Sequence, residues 1–576
     1  MEAAQESQLT TRMRAWTRGG AAHLRPALSV AFALVAGLAL RLWMLGKLFD
    51  VNGDMLIYGD LAKNLLLHSQ YALTPPGGAI YSTLIRLPGY PVFLALCFKI
   101  FGMENYFAAA CVQIALDLLG CLLLAGFVRR IVPRRGQSAA LITLWLAALC
   151  PFTASYTVAP LAETLTLFML ALAMWAMARF HDDPRWVNAL WFTFAVTGAA
   201  LLRPAGALAG VAFAPALLIG QCGWMAKRHP SGAKAHRESG EVPARLKPCP
   251  SKIASPLWGF ALLAVLIPTL KRGANDRRAY GAFGTARAVP LHGPDSVAGS
   301  DSIAGSSTDC DRKKEVSQRR LARMAVVCVL LALTPFAVWT VRNWRVFHVI
   351  EPLAPRLATD PGESTNPGWE RWVKSWCLDF NSTYEIYWNV SGDKLDVSEL
   401  PNRAFDSPVE YAETTALAED YNSHGMVLTP RIDAGFDRLA EERIAAHPLR
   451  YYLWLPLGRV ADMWLRPRVE NLNIDLDWWV YAHHHAETEF SWAYAGLNAF
   501  YLLLGIVGLC MRPRYWGALL AYVLLRSALL WTVQAPETRY TLECFPMLFV
   551  LGGVAIARLM ACGLRKTVET GAKAQS

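Results

Sequence analysis

The sequence predicts a mainly α-helical, polytopic membrane protein: a bundle of about 10 transmembrane spans or more, with interfacial helices and a small mixed extracytoplasmic subdomain. Of the 576 residues, 54% are hydrophobic and only 18% are charged, and the mean hydropathy is +0.26, whereas a soluble domain carries more charge. Several apolar windows approach the roughly 20 residues that cross a bilayer. The 21 Trp and 19 Tyr suit the aromatic belts at the two membrane interfaces.

Ten windows are predicted to span the membrane, although the third and fourth are short for a span. They are Ala27–Leu45, Ala108–Phe127, Ala139–Phe152, Thr164–Met177, Val187–Leu202, Ala205–Leu218, Met324–Val341, Ala493–Cys510, Gly517–Val533 and Met547–Cys562. Arginines precede the first window, as in a signal peptide, but the apolar run continues to Leu45. We therefore interpret this window as a retained first helix.

Basic residues predict the orientation of the spans, because Lys and Arg concentrate in cytoplasmic loops. They occur in every second connection, which places both termini in the cytoplasm: Arg12–Arg25, Arg129–Arg135, Arg185, Lys227–Arg228, Arg512–Arg514 and Arg565–Lys566. The net charge of +11 is thus a topology signal. We expect membrane lipids and no nucleic acid among the partners.

The predicted domain organisation follows these spans. The segments are a cytoplasmic tail (1–26), an N-terminal transmembrane catalytic region (27–225) with outward loop 46–106, a basic low-complexity cytoplasmic insertion (226–320), a span (321–344), an extracytoplasmic subdomain (345–492), C-terminal spans (493–563) and a cytoplasmic tail (564–576). Inside the insertion, the apolar run Pro256–Leu270 is interpreted as interfacial, because a span there would place the following basic stretch outside. An additional pair of spans is the alternative.

The first outward loop carries the most informative polar residues. Asp54 follows the first span directly and precedes Met55–His68, whose apolar residues lie on one face, as in an interfacial helix. A second interfacial helix is expected after Pro91. Asp54 either caps its helix or holds a base at the mouth of a membrane cavity. The two roles are compatible, and spacing alone favours neither.

Short motifs along the chain carry a family resemblance. They are Asp54, Tyr58, Leu61-Ala62, Asn64-Leu65, Arg86-x-Pro88-Gly89-Tyr90-Pro91, Ala162-Glu163, Leu202-Arg203-Pro204, Pro335–Trp344 and Glu537-Thr538-Arg539-Tyr540. Their order resembles the GT-C fold membrane glycosyltransferases, most of all the bacterial relatives of protein O-mannosyltransferases (glycosyltransferase family 39) and the aminoarabinose transferase. The motifs extend from about Leu40 to Leu559 without the insertion. One departure is Met55, where the family often has a second acid.

The resemblance implies a hexosyl- or pentosyltransferase that moves a sugar from a polyprenyl-phosphate carrier to a lipid, glycan or protein acceptor. Inversion with a single carboxylate base is expected, on the extracytoplasmic face of a bacterial inner membrane. Asp54 is the predicted base, and Glu163 is the second-choice acid. Guanidinium groups suit the departing phosphate, so the predicted substrate-binding residues are Arg86, Arg203, Arg342 and Arg539, with Tyr58 and Tyr540. The alternative is that some of these arginines only bind lipid headgroups.

Other chemistry is less well supported by the sequence. We assign no metal ligands, because His483-His484-His485 point in different directions on any regular backbone and the twelve Cys are scattered. Dependence on a divalent metal stays open, since Met55 stands where a second acid would. A flippase of lipid-linked intermediates is the second hypothesis, and an oligosaccharide polymerase or ligase is the third. The concentration of polar residues in outward loops favours an enzyme over a transporter.

Overall fold

The computed structural model describes residues 27–75, 77–133, 135–227, 304–355, 358–363, 365–472, 474, 476 and 485–574. The predicted N-terminal tail, most of the basic insertion with Pro256–Leu270, and His483-His484 lie outside the described residues. The chain divides into two compact units, one formed by Met1–Leu217 with Val329–Ser576 and the other by Leu218–Cys328. In its described residues, the second unit contains the end of one helix and the beginning of another, and all side chains discussed below belong to the first unit.

Helices account for most of the described chain. Their bounds are α1 Ala27–Leu48, α2 Asp54–His68, α3 Gly89–Phe101, α4 Tyr106–Ile131, α5 Gly136–Ala148, α6 Pro151–Thr157, α7 Ala162–Asp182, α8 Trp186–Leu202, α9 Leu208–Lys227, α10 Ala304–Phe347, α11 Pro367–Lys374, α12 Phe380–Ser382, α13 Pro408–Ser423, α14 Pro430–Ala446, α15 Leu455–Leu465, α16 His485–Cys510, α17 Trp516–Leu530 and α18 Phe545–Ala574. Short 3₁₀ or π turns occupy Pro204–Ala207, Thr383–Tyr387, Val397–Glu399, Asn402–Ala404, Arg450–Trp454 and Thr538–Cys544.

Eight of the ten predicted windows lie entirely in helical structure, and the other two, Ala139–Phe152 and Gly517–Val533, lie mostly in it, which confirms the mainly α polytopic class. Six helical stretches in the described residues are long and apolar enough to cross a membrane: α1, α4, α7, Arg319–Phe347 of α10, α16 and Thr538–Cys562. The broken pair α5 and α6 makes a seventh if it counts as one span. The remaining predicted windows lie in shorter apolar helices, namely α8, Pro204–Leu217 and α17.

The third predicted window, Ala139–Phe152, crosses a break that the hydropathy pattern does not reveal. Helix α5 ends at Ala148, α6 starts at Pro151, and the two helices are bent by 56°. Pro151 occupies the first turn of α6, where its missing N–H costs nothing, and Cys150 before it is extended (ψ 112°). The bend leaves carbonyl groups of α5 without their helical partners.

Polar side chains from neighbouring spans hydrogen-bond the carbonyls at this break. Arg41 of α1, which is fully buried, donates to the carbonyl of Ala148 at 2.7 Å and pairs with Asp117 of α4 at 2.5 Å. Gln113 donates to the carbonyls of Thr157 (3.1 Å) and Ala159 (2.8 Å). The Arg41 bond lies at the break itself. The two Gln113 bonds fix the turn that leads from α6 into α7.

The segment predicted as an outward subdomain is helical within its described residues. Among the described residues from 345 to 472 the structure has helices and turns but no strand. Two helices explain this, because α13 and α14 each begin with proline and are capped by Ser407 and Thr429. They pack around a buried aromatic core of Trp369, Trp372, Trp376, Tyr421 and Phe436.

The two strands in the described residues form a hairpin inside the first outward loop. β1 (Ala72–Leu73) pairs antiparallel with β2 (Tyr81–Ser82). Arg342, near the C-terminal end of α10, donates to the carbonyls of Thr83 (2.7 Å) and Tyr71 (2.8 Å). Arg342 therefore holds the hairpin against α10, and its described hydrogen bonds go to protein groups.

The two sets of connections predicted from charge lie at opposite ends of the bundle. At the C-terminal end of α7, Asp182 pairs with Arg130 at 2.7 Å and with Arg514 at 3.8 Å, which joins two connections predicted to be cytoplasmic. Glu163 lies at the other end of α7, roughly 29 Å away at 1.5 Å per residue. The grouping agrees with the charge rule, and which end faces the cytoplasm stays a prediction.

Candidate active site at one end of the bundle

Acidic and basic side chains from distant parts of the chain meet at the end of α7 that carries Glu163. The cluster contains four carboxylates and four guanidinium groups: Asp54, Glu163, Glu537, Glu543, Arg86, Arg203, Arg526 and Arg539. They come from α2, the loop before α3, the first turn of α7, the turn after α8, α17 and the segment before α18. Residues nearly 500 positions apart thus form one connected network, hereafter the carboxylate–arginine cluster.

Asp54 reaches this cluster because of the way α2 begins. Gly53 adopts a left-handed φ of +49° immediately before the helix, a conformation that glycine accepts without steric cost. The helix has no side-chain cap hydrogen bond, so Asp54 is not a cap. Its carboxylate instead accepts from Arg86 at 2.7 Å and lies 3.3 Å from Arg539, since charge-assisted bonds are stronger than a neutral cap bond.

The Arg86 loop is held close to the turn that carries Arg203. A Cβ atom added to Gly89 would lie 2.6 Å from the carbonyl oxygen of Leu201, closer than real Cβ contacts, so only glycine allows this approach. The motif Arg86-x-Pro88-Gly89 thereby joins the start of α3 to the end of α8. Close packing of the backbone therefore explains why this motif contains glycine at position 89.

Glu163 and Arg203 form a buried ion pair within the cluster. Glu163 is 2% exposed and accepts from Arg203 at 2.5 Å. Arg203 also lies 3.5 Å from Glu543, and Arg539 lies 3.8 Å from Glu163. Breaking a pair at this depth leaves an uncompensated buried charge and costs about 3–5 kcal/mol.

The segment of residues 537–544 places three members of the cluster, Glu537, Arg539 and Glu543. Arg539 and the hydroxyl of Tyr540 both donate to Glu537 through short bonds, and Glu537 is only 7% exposed. At the other end of the segment, Glu543 pairs with Arg526 of α17 at 3.2 Å.

The electrostatic environment keeps Asp54 ionised. Burial raises the pKa of Asp54, but the positive charges of Arg539 and Arg86, with the Arg86 hydrogen bond, outweigh burial and hold the pKa below its ordinary value. Tyr58, one turn along α2, is in turn influenced by Arg86 and Asp54, although burial is the largest cause of its raised pKa. Asp54 is therefore a carboxylate that must be released from its arginines before it can accept a proton readily.

The structure brings most of the predicted site residues together. Asp54, Arg86, Glu163, Arg203 and Arg539 are joined by ion pairs, Tyr540 is bonded to Glu537, and Tyr58 lies within electrostatic reach. Arg342 is the exception, since its hydrogen bonds go to the backbone beside the hairpin and to Asn343. Whether each residue binds substrate stays a prediction.

Three members of the cluster were not predicted as site residues: Glu537, which belongs to one of the sequence motifs, Arg526 and Glu543. Arg526 lies inside a predicted span, and Glu543 follows at the end of the next outward loop. An ionisable residue inside a span marks a functional site by default, so Arg526 carried a usable signal. No sequence signal identified Glu543, because the direction of its side chain depends on the 3₁₀ geometry of Thr538–Cys544.

The described residues hold no group of three or more His, Cys, Asp or Glu side chains arranged to ligate a metal ion. The site carboxylates are each paired with a guanidinium group. Of the three consecutive histidines, only His485 belongs to the described residues, so the expectation that they form no metal site stays a prediction.

Comparison with known proteins agrees with the geometry. Residues 86–235, about a quarter of the chain, match the model of a family described as dolichyl-phosphate-mannose-protein mannosyltransferase. The match includes Arg86, Glu163 and Arg203, while Asp54 and Arg539 lie beyond it. It confirms the resemblance to GT-C glycosyltransferases and supports a membrane glycosyltransferase of that type. No curated protein and no solved structure matches the chain.

Proposed function

We propose that this chain is an integral membrane glycosyltransferase that uses a polyprenyl-phosphate-linked sugar as donor and transfers the sugar, with inversion, to a lipid, glycan or protein acceptor. The acceptor and active site face the extracytoplasmic side of a bacterial inner membrane. The observation that carries the proposal is the carboxylate–arginine cluster, in which Asp54 lies between Arg86 and Arg539.

The donor chemistry matches the residues that are present. A polyprenyl-phosphate sugar departs as a stabilised phosphate anion, so the reaction needs cationic stabilisation of the leaving group and a base for the acceptor. Arginine is suited to the first task because its planar donors match phosphate oxygens in pairs. A single carboxylate is sufficient for the second task in a direct displacement with inversion. The description of the matching family, which names a dolichyl-phosphate sugar, supports the same donor class.

Donor binding can also activate the base. Arg539 and Arg86 oppose the effect of burial and lower the pKa of Asp54. A donor phosphate that pairs with these arginines competes with the carboxylate for the same N–H groups. Asp54 then becomes a stronger base only when the donor is in place, so the acceptor is deprotonated when transfer is feasible.

Mass spectrometry of cells with and without this protein tests the proposed function. We expect loss of the protein to leave a polyprenyl-phosphate sugar unused and to remove one sugar from a lipid, glycan or protein outside the cytoplasm. Unchanged glycans together with a redistributed lipid carrier would instead identify a flippase. An inactive Asp54→Asn chain expressed at the same level controls for effects on membrane insertion.

The pH dependence of kcat/KM should report the charge environment of Asp54. The base must be ionised, and its pKa is below the ordinary value, so we expect the wild type to lose no activity through this group between pH 7 and 5. In Arg86→Gln, burial is opposed by fewer positive charges, so the pKa rises and the acid limb moves to higher pH. Lys63→Gln, whose amine pairs with Glu104 at 3.0 Å, is the matched control. An acid limb at the same pH in Arg86→Gln and wild type would contradict the base assignment.

A further inference from the structure

A loop outside the predicted site is fastened to the carboxylate–arginine cluster. After α15 the chain passes through Arg468, which is only 4% exposed. Its guanidinium donates to the carbonyl of Thr538 at 2.9 Å and, through a short bond, to the hydroxyl of Thr541. These two residues flank Arg539, so the loop that carries Arg468 lies directly beside the cluster.

The next acidic residue of this loop, Glu470, contacts α6, the helix that precedes Glu163 and α7. The buried hydroxyl of Tyr156, in α6, donates to Glu470 Oε1 at 3.1 Å. The carbonyl of Tyr156 accepts from Thr164, the neighbour of Glu163, at 2.9 Å, and the ring is within electrostatic reach of Arg539 and Glu163. Glu470 therefore adjoins the part of the cluster that contains Glu163 and Arg539.

Glu470 differs from the four carboxylates of the cluster in how it is partnered. Each of those four is paired with a guanidinium group, whereas Glu470 has no ion pair within 4 Å in the described part of the chain. Its second oxygen, Oε2, and the side-chain nitrogen of Asn471 are both shielded from solvent and have no hydrogen-bond partner among the described residues. Leaving such groups unsatisfied costs about 1–3 kcal/mol each, so a ligand that satisfies both is expected.

The chemistry of the two atoms identifies the ligand. An acceptor oxygen and an amide donor on consecutive residues both suit hydroxyl groups, because a hydroxyl both donates and accepts. A phosphate group is unsuitable at this position, because the Glu470 carboxylate repels it. The arginines of the cluster attract a phosphate to the neighbouring position. A sugar ring next to its phosphate satisfies both requirements.

We propose that Glu470 and Asn471 form a saccharide subsite beside the carboxylate–arginine cluster and bind ring hydroxyl groups during transfer. This subsite rests on the proposed function. Its sugar belongs either to the donor or to the acceptor, and both present the same hydroxyl chemistry.

The test compares wild type, Glu470→Gln and Asn471→Ala, each purified and reconstituted in lipid nanodiscs. The donor is the polyprenyl-phosphate sugar that the wild type transfers fastest from a panel of hexoses and pentoses. Binding of this donor is compared with binding of polyprenyl phosphate without a sugar, and labelled transfer is measured against increasing amounts of a host membrane extract at saturating donor. Thermal melting verifies folding, and Glu399→Gln, an exposed change in the outward subdomain, is the matched control.

If the subsite binds the donor sugar, both variants should bind the complete donor at least about 10-fold more weakly than wild type. Their binding of polyprenyl phosphate without a sugar should be unchanged. A subsite for the acceptor sugar predicts unchanged donor binding and about a 10-fold larger extract requirement. Variants that match wild type in both measurements overturn the subsite while the proposed function survives. A wild type that transfers from no polyprenyl-phosphate sugar refutes the proposed function itself.

Discussion

Replacing Asp54 by asparagine is expected to lower the rate of sugar transfer by about 10²–10⁴-fold, the contribution typical of a positioned general base. The substitution keeps the shape of the side chain and an oxygen that can accept from Arg86, but the amide takes no proton from an acceptor hydroxyl or amine. We expect donor binding to be preserved or tightened, because Arg86 and Arg539 lose a competing anion. Turnover at saturating donor and donor affinity are the two measurements.

Asp50→Asn is the matched control for this experiment. Asp50 lies four residues earlier in the same loop, is exposed, and accepts only from its neighbours Val51 and Asn52 in the described structure. The same chemical change there should leave turnover within about two-fold, as expected of surface substitutions. An Asp54→Asn enzyme with full activity and normal folding would refute the catalytic role and shift attention to Glu163.

The transmembrane part of the fold could be predicted well because a spanning helix satisfies its own backbone and reveals itself by apolar length alone. The same reasoning missed the break between Ala148 and Pro151, since a broken helix is as apolar as a continuous one. The compensating groups, Arg41 and Gln113, lie on other spans, and their direction depends on helix packing. The packing of the predicted outward subdomain could not be predicted for a related reason, because its core is assembled from dispersed aromatic residues.

The candidate site could be predicted in its parts more readily than in its connections. Motif order and loop position suggested that Asp54, Arg86, Arg203 and Arg539 share one side of the membrane, and the structure joins them by ion pairs. Arg342 has the same position at an outward helix end, yet it binds the hairpin. Sequence position specifies the level of a residue in the membrane, whereas the direction of its side chain is set by the tertiary contacts of its helix.

The second large effect is expected for Arg203→Gln. This change leaves Glu163 with only the more distant Arg539 at 3.8 Å, and it removes one positive neighbour of Glu543. A buried carboxylate that loses its partner costs about 3–5 kcal/mol, so the variant should melt at a clearly lower temperature and lose most transfer activity. Arg438→Gln, which breaks an exposed 3.1 Å pair with Glu413, should change stability by at most about 1 kcal/mol.

Loss of activity in Arg203→Gln has two explanations, and the double variant Glu163→Gln/Arg203→Gln separates them. Removing both charges eliminates the uncompensated carboxylate, so the melting temperature should return most of the way to that of wild type. If Arg203 contacts the donor phosphate, transfer stays low and donor binding stays weak despite the recovered stability. If Arg203 only neutralises Glu163, activity returns with stability, and that result would remove Arg203 from the substrate-binding residues. Arg86 and Arg539, which pair directly with Asp54, would then be the remaining groups that can hold the phosphate.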